Sequence, residues 1–189
     1  MPALEELEAH ARACTRCPLA AGRTTVVFGE GNPNAGLVVI GEAPGRDEDL
    51  QGRPFVGRSG QLLDRLLAEE AGPQRDDVYI ANVVKCRPPG NRDPLPAEIA
   101  ACRPYLDQQV AIIGPAVILT LGNFATKLLL ATPDGITKLR GRTYSYGNGS
   151  TVLVPTFHPA AALRGGGTVL AQMRADFVRA KECLLAGPT

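Results

Sequence analysis

An α/β fold, a three-layer αβα single domain with a central, mainly parallel four-stranded sheet, follows from three features of the 189-residue sequence. Four apolar runs are short and rich in branched residues, as strands buried on both faces require. Helical patterns separate them, which supplies the long crossovers that parallel strands need. Glycine-rich and polar segments follow the runs, and ligands in such sheets bind beyond the carboxyl ends of the strands.

The elements follow in order. Residues 3–13 read as an opening helix, and 37–40 (LVVI) as the first strand, stopped by Gly41. A helix over 59–71 precedes the second strand, 78–84, and a helix over 96–113 precedes the third, 117–121, before Gly122. A helix over 123–131, a strand over 152–154 before Pro155 and a closing helix over 168–185 complete the chain. Glycines 165, 166 and 167 read as a flexible turn inside one domain spanning 1–189. There is no internal repeat and no low-complexity segment.

Composition narrows the classes. At 44% hydrophobic content the chain can bury one good core, and no apolar run reaches the roughly 18 residues of a membrane helix. A net charge of +1 gives no global attraction to nucleic acid, so a DNA-binding face has to be a local patch. The acidic, interrupted start MPALEELEAHARAC does not read as a secretion signal, which predicts a reducing cytoplasm. There a CxxC pair, Cys14 and Cys17, with Cys86 and Cys102 downstream points to metal, not to disulfides. Four thiolates suit zinc or a 4Fe-4S cluster, spacing does not separate the two, and the residues alone lean to zinc. Cys183 lies in the apolar register of the last helix and reads as a small buried hydrophobe.

The residues after the runs carry the chemistry. They are GEAPG over 41–45, Asn82 with KCRPPGNR over 85–92, Gly122-Asn123, and TFHP over 156–159. Each segment alone has a structural explanation as a turn or a cap. Four of them at one sheet edge make a site.

These segments resemble the family 4 uracil-DNA glycosylases, the iron–sulfur branch of the uracil glycosylase superfamily. The likeness runs over nearly the whole chain: CTRCPL from Cys14, GEAPGRDEDLQGRPFVGRSGQLLDRLL over 41–67, NVVKCRPPGNRDP over 82–94, ACRPYL over 101–106, Leu121-Gly122 and FHPAA from Phe157. The resemblance implies a monomer that flips uracil out of double- or single-stranded DNA and hydrolyses its N-glycosidic bond. By it Phe55 stacks on the base, and Asn82 accepts from uracil N3–H and donates to O4, a pattern that cytosine reverses. His158 donates to uracil O2 as charge develops there, and backbone N–H groups of Gly41, Glu42 and Ala43 assist. Family 1 enzymes place an aspartate where Ala43 stands, so Glu42 is the available general base. They also place an aromatic residue where Gly45 stands, so Glu42 or Glu48 has to fill that space, and Glu48 is expected to exclude the thymine methyl. Leu163 is the expected wedge in the DNA stack and Arg164, Arg87 and Lys85 the expected phosphate contacts, with Arg58, Arg92, Lys138, Arg140 and Arg142 in support. With the resemblance, the four cysteines hold a structural 4Fe-4S cluster.

Three rivals stand beside it. A relative that traps uracil covalently carries a basic, histidine-bearing insertion, whereas 87–94 is compact and has no histidine. A non-catalytic DNA-binding relative conflicts with intact Glu42, Asn82 and His158. A zinc-stabilised nucleotide-binding enzyme lacks both GxGxxG and GKS or GKT.

Overall fold

The computed structural model describes residues 2–187; residues 1, 188 and 189, the outermost of the domain expected over 1–189, lie outside it. The strands are β1 (Glu30–Gly31), β2 (Leu37–Gly41), β3 (Tyr79–Asn82), β4 (Val117–Leu121), β5 (Tyr144–Tyr146) and β6 (Thr151–Thr156). Side by side they run β1-β3-β2-β4-β6-β5. The inner four pair in parallel and are the four expected strands, although β3 takes up only Tyr79–Asn82 of the expected 78–84. The outer two, β1 and β5, pair antiparallel, so the sheet is six-stranded and mixed instead of four-stranded. At two and three residues these edge strands carry no periodicity, and only a neighbouring backbone defines them.

The helices are α1 (Pro2–Arg12), α2 (Leu19–Gly22), α3 (Arg46–Gln51), α4 (Arg58–Leu66), α5 (Pro96–Ile113), α6 (Asn123–Leu130), α7 (Ile136–Leu139) and α8 (Pro159–Ala186). Successive strand residues face opposite sides of the sheet, so each buried run feeds two cores. Val38 and Ile40 join Leu7 of α1, Leu106 of α5 and Leu129 of α6 on one side. Leu37 and Val39 join Leu63 of α4 and Phe177 of α8 on the other. Each such fully buried side chain contributes about 1.5–3 kcal/mol.

Local signals set the helix ends. Pro96 opens α5, Glu98 accepts from the Leu95 N–H at 2.8 Å, and Gly114 closes it at φ 59°. The turn after α4 widens into a π-helix over Leu67–Ala71, which fills the rest of the segment expected as one helix. The largest departure is α8. It begins at Pro159, because His158 caps it and proline suits the first helical position, and the expected glycine turn survives only as a kink at Gly166 with φ 70°.

Strand β2 is the pivot. The chain leaves it to one side for β3 and returns past it for β4, with α4 and α5 covering opposite faces. That switch point opens a crevice at the carboxyl end of β2.

Candidate functional site

Gly41 ends β2 in register with Asn82, which ends β3. A Cβ at Gly41 would meet Asn82 Oδ1 and Phe55 Cζ, each at 2.5 Å, so only glycine lets the amide and the ring converge there. Asn82 is 1% exposed, and its Oδ1 has no hydrogen-bond partner among the described residues. An orphaned buried acceptor costs about 1–3 kcal/mol, which a ligand carrying an N–H donor relieves. This amide faces a cavity of about 440 Å³ that Glu42, Glu48, Phe55 and His158 also line.

His158 follows β6 directly. Its Nδ1 accepts the Ala160 N–H at 3.2 Å, so in the neutral ring the proton sits on Nε2. Burial, then the charge of Arg164, lowers its pKa to about 4 against the pull of Glu48, so the neutral form persists at pH 7. The ring centroid lies 5.8 Å from that of Phe55 at an interplanar angle of 32°. A neutral donor and an aromatic wall therefore stand together. In Glu42, burial and then the nearby Asp93 carboxylate raise the pKa to about 7. A carboxylate so tuned exchanges a proton near neutrality.

Glu48 also lines the cavity, but its carboxylate is committed. Oε1 accepts from the Val56 and Gly57 N–H groups at 3.0 and 3.2 Å, and Oε2 accepts from Gly45 at 3.1 Å. It thus ties the turn after β2 to the segment carrying Phe55. Ala43 lies in the cavity wall beside Pro44 and Gly45, and it brings no functional group.

The structure brings most of the expected residues together. Arg164 lines the cavity, Leu163 one residue earlier is 43% exposed, and Arg87 donates to Asn91 Oδ1 at 2.6 Å on the facing loop. Lys85 departs from expectation. It is 2% exposed, and its Nζ donates to the Asn82 carbonyl at 2.8 Å and to Gln109 Oε1 at 2.5 Å, so it cannot reach a phosphate. Arg140 is likewise spent, bound through two nitrogens to the fully buried Asp176 and lying 5.5 Å from the Phe157 ring. Ser59 and Asn91 line the cavity without having been singled out. Ser59 reads in the sequence only as the start of a helix, and nothing local signals the left-handed φ of 56° at Asn91.

Cys14, Cys17, Cys86 and Cys102 surround a second cavity, between α1, the loop after β3 and α5. None of them forms a disulfide. Arg23 Nη1 lies 3.4 Å from Cys86 Sγ and also donates to the Cys14 carbonyl at 2.7 Å, while the Lys85 N–H donates to Cys102 Sγ at 3.3 Å. Among the described residues no three His, Cys, Asp or Glu are gathered as a single ion requires. Cys183 is half-buried against the α4/α8 core. No helix among the described residues is long and apolar enough to cross a membrane.

A family model described as the uracil DNA glycosylase superfamily matches residues 28–181. A type-4 uracil-DNA glycosylase of Thermotoga maritima is 50% identical over 165 residues, covering 85% of this chain and 83% of that protein. One of Sulfurisphaera tokodaii is 48% identical over 169 residues, with 86% and 77% covered. One of Saccharolobus solfataricus is 44% identical over 194 residues, with 100% and 89% covered.

Proposed function

The chain belongs to the uracil DNA glycosylase superfamily, and we propose that it excises uracil from DNA by hydrolysing the N-glycosidic bond to leave an abasic site. One observation carries the chemistry: the buried, unpaired Oδ1 of Asn82 at the cavity floor, the acceptor that uracil N3–H needs.

The residues divide the work. A flipped uracil stacks on Phe55, for about 1–3 kcal/mol, and Asn82 reads its N3–H and O4 edge. As the C1′–N1 bond lengthens, its electron pair passes to the base, and the neutral His158 donates from Nε2 to uracil O2. Backbone N–H groups near Gly41 and Ala43 assist. Water attacks C1′ and gives its proton to Glu42. Glu48, held rigid by three backbone N–H groups, bounds the side where thymine carries its methyl. Leu163 fills the gap left in the stack, and Arg164 and Arg87 take phosphates. On this reading the chain acts as a monomer on double- or single-stranded DNA.

The four cysteines fit a 4Fe-4S cluster. The donor set is all thiol, as such a cluster takes, and Arg23 and the Lys85 N–H reach two of the sulfurs. When bound, such a cluster supplies cross-links between α1, the loop after β3 and α5, not electrons for hydrolysis. Protein purified anaerobically should be brown and contain iron with labile sulfide, and Cys86→Ser should lower thermal stability more than the excision rate of the folded fraction. Colourless, zinc-containing protein would overturn the assignment.

Incubation with an oligonucleotide bearing one uracil, followed by alkali, tests the activity. Strand cleavage at the uracil with repeated turnover is expected, and cleavage no greater than in a uracil-free control refutes it. A stoichiometric covalent adduct would identify a trapping relative instead. The rate should also depend on pH. A base acts in its charged form, so Glu42, with a pKa of about 7, is only about one-tenth ionised at pH 6. The single-turnover rate should rise through pH 7 and level off above it. Glu42→Gln should flatten that profile, and an unchanged acid limb would assign the limb to another group.

A further inference from the structure

Phe55 has φ 52°, in the left-handed region that a bulky aromatic residue rarely enters. Such a conformation persists only where the surroundings over-determine it. Arg75 does so from outside the cavity. Its Nη1 donates to the Phe55 carbonyl at 3.2 Å and to Asp64 Oδ1 at 2.8 Å. Its Nη2 donates to the Pro54 carbonyl at 2.5 Å and to Glu30 Oε1 at 2.6 Å, and Nε reaches the same Glu30 oxygen at 3.0 Å. The guanidinium therefore bridges two successive carbonyls and two carboxylates, with its side chain only 17% exposed. Gly60 completes the arrangement. A Cβ there would lie 1.8 Å from the Phe55 carbonyl oxygen, so α4 can pass that carbonyl only as glycine.

We propose that Arg75 is a positioning residue for base recognition, clamping the Pro54 and Phe55 carbonyls so that the Phe55 ring lies against Gly41 and beside His158. This rests on the uracil-excision reading and adds to it a residue that touches neither the base nor the cavity. A lysine keeps the charge, but a compact ammonium cannot serve four acceptors spread around a planar fork. Arg75→Lys should therefore loosen the ring while its ion pairs with Glu30 and Asp64 survive.

The test is single-turnover excision against enzyme concentration for the wild type, Arg75→Lys, Phe55→Ala and the double variant. Arg75→Lys should raise the half-saturating concentration about tenfold, leave the maximal rate within about threefold, and leave affinity for uracil-free DNA unchanged. In the Phe55→Ala background the same change should cost less than about twofold, because the interaction it supports is gone. Additive losses, or a wild-type half-saturating concentration in Arg75→Lys, would overturn the role. If Arg75→Lys does not fold, Asp64→Asn enters the same cycle. It loosens one outer partner, and its expected loss of about two- to threefold should vanish without Phe55, whereas an additive loss overturns the role. A wild-type chain inactive on uracil-containing DNA would instead overturn the excision reading, and this one with it.

Discussion

His158→Ala is expected to lower the single-turnover rate of uracil excision by about 10²–10³-fold while changing affinity for uracil-free DNA less than about threefold. The ring stands beside Phe55 with Nδ1 occupied by the Ala160 N–H, so Nε2–H is already directed before charge develops on uracil O2. Because the pKa is lowered to about 4, the donor is a neutral imidazole across the working range. Loss of His158 therefore removes a preorganised dipole, not a titrating acid. In the wild type the rate should show no limb from this residue above pH 5. A full single-turnover rate in His158→Ala would sink the role, and loss of DNA binding in parallel with rate would reassign it to the interface.

The second large effect belongs to Asn82. Asn82→Asp should lower uracil excision by about 10²–10³-fold and collapse the discrimination between uracil and cytosine, which a site built to hydrogen-bond its substrate holds at about 10⁴ or more. The wild-type amide offers one acceptor and one donor, matched to N3–H and O4. An ionised aspartate has no donor for O4, and at 1% exposure solvent cannot compensate. The Gly41 backbone and Phe55 ring crowd the same spot, so the substituted side chain has no alternative pose. Competition between uracil- and cytosine-bearing oligonucleotides reads the ratio directly. An unchanged ratio would move recognition to other residues of the cavity.

Gly41, Asn82 and His158 were legible because each follows a short apolar run, and the ends of parallel strands converge on one edge. Helix α5 was legible to the residue, since Pro96 and Gly114 punctuate it. From the sequence Lys85 reads as a phosphate contact because it shares a basic loop with Arg87. Burial became possible only when the Asn82 carbonyl and Gln109 enclosed its ammonium. The sequence places the start of α8 too late, because three glycines outweigh a cap that depends on where the His158 ring points.

The order and type of the four inner strands, the residues at their ends and the set of four cysteines are properties of the sequence alone. They depend on periodicity and on residue chemistry, which are local. Only the tertiary structure decided that the sheet has six strands, that Glu48 ties two loops together, that Lys85 is buried, and that Arg75 grips the backbone of a residue twenty positions away. These depend on which backbone groups lie unpaired after the chain has packed, and no local pattern encodes a partner that folding itself brings near.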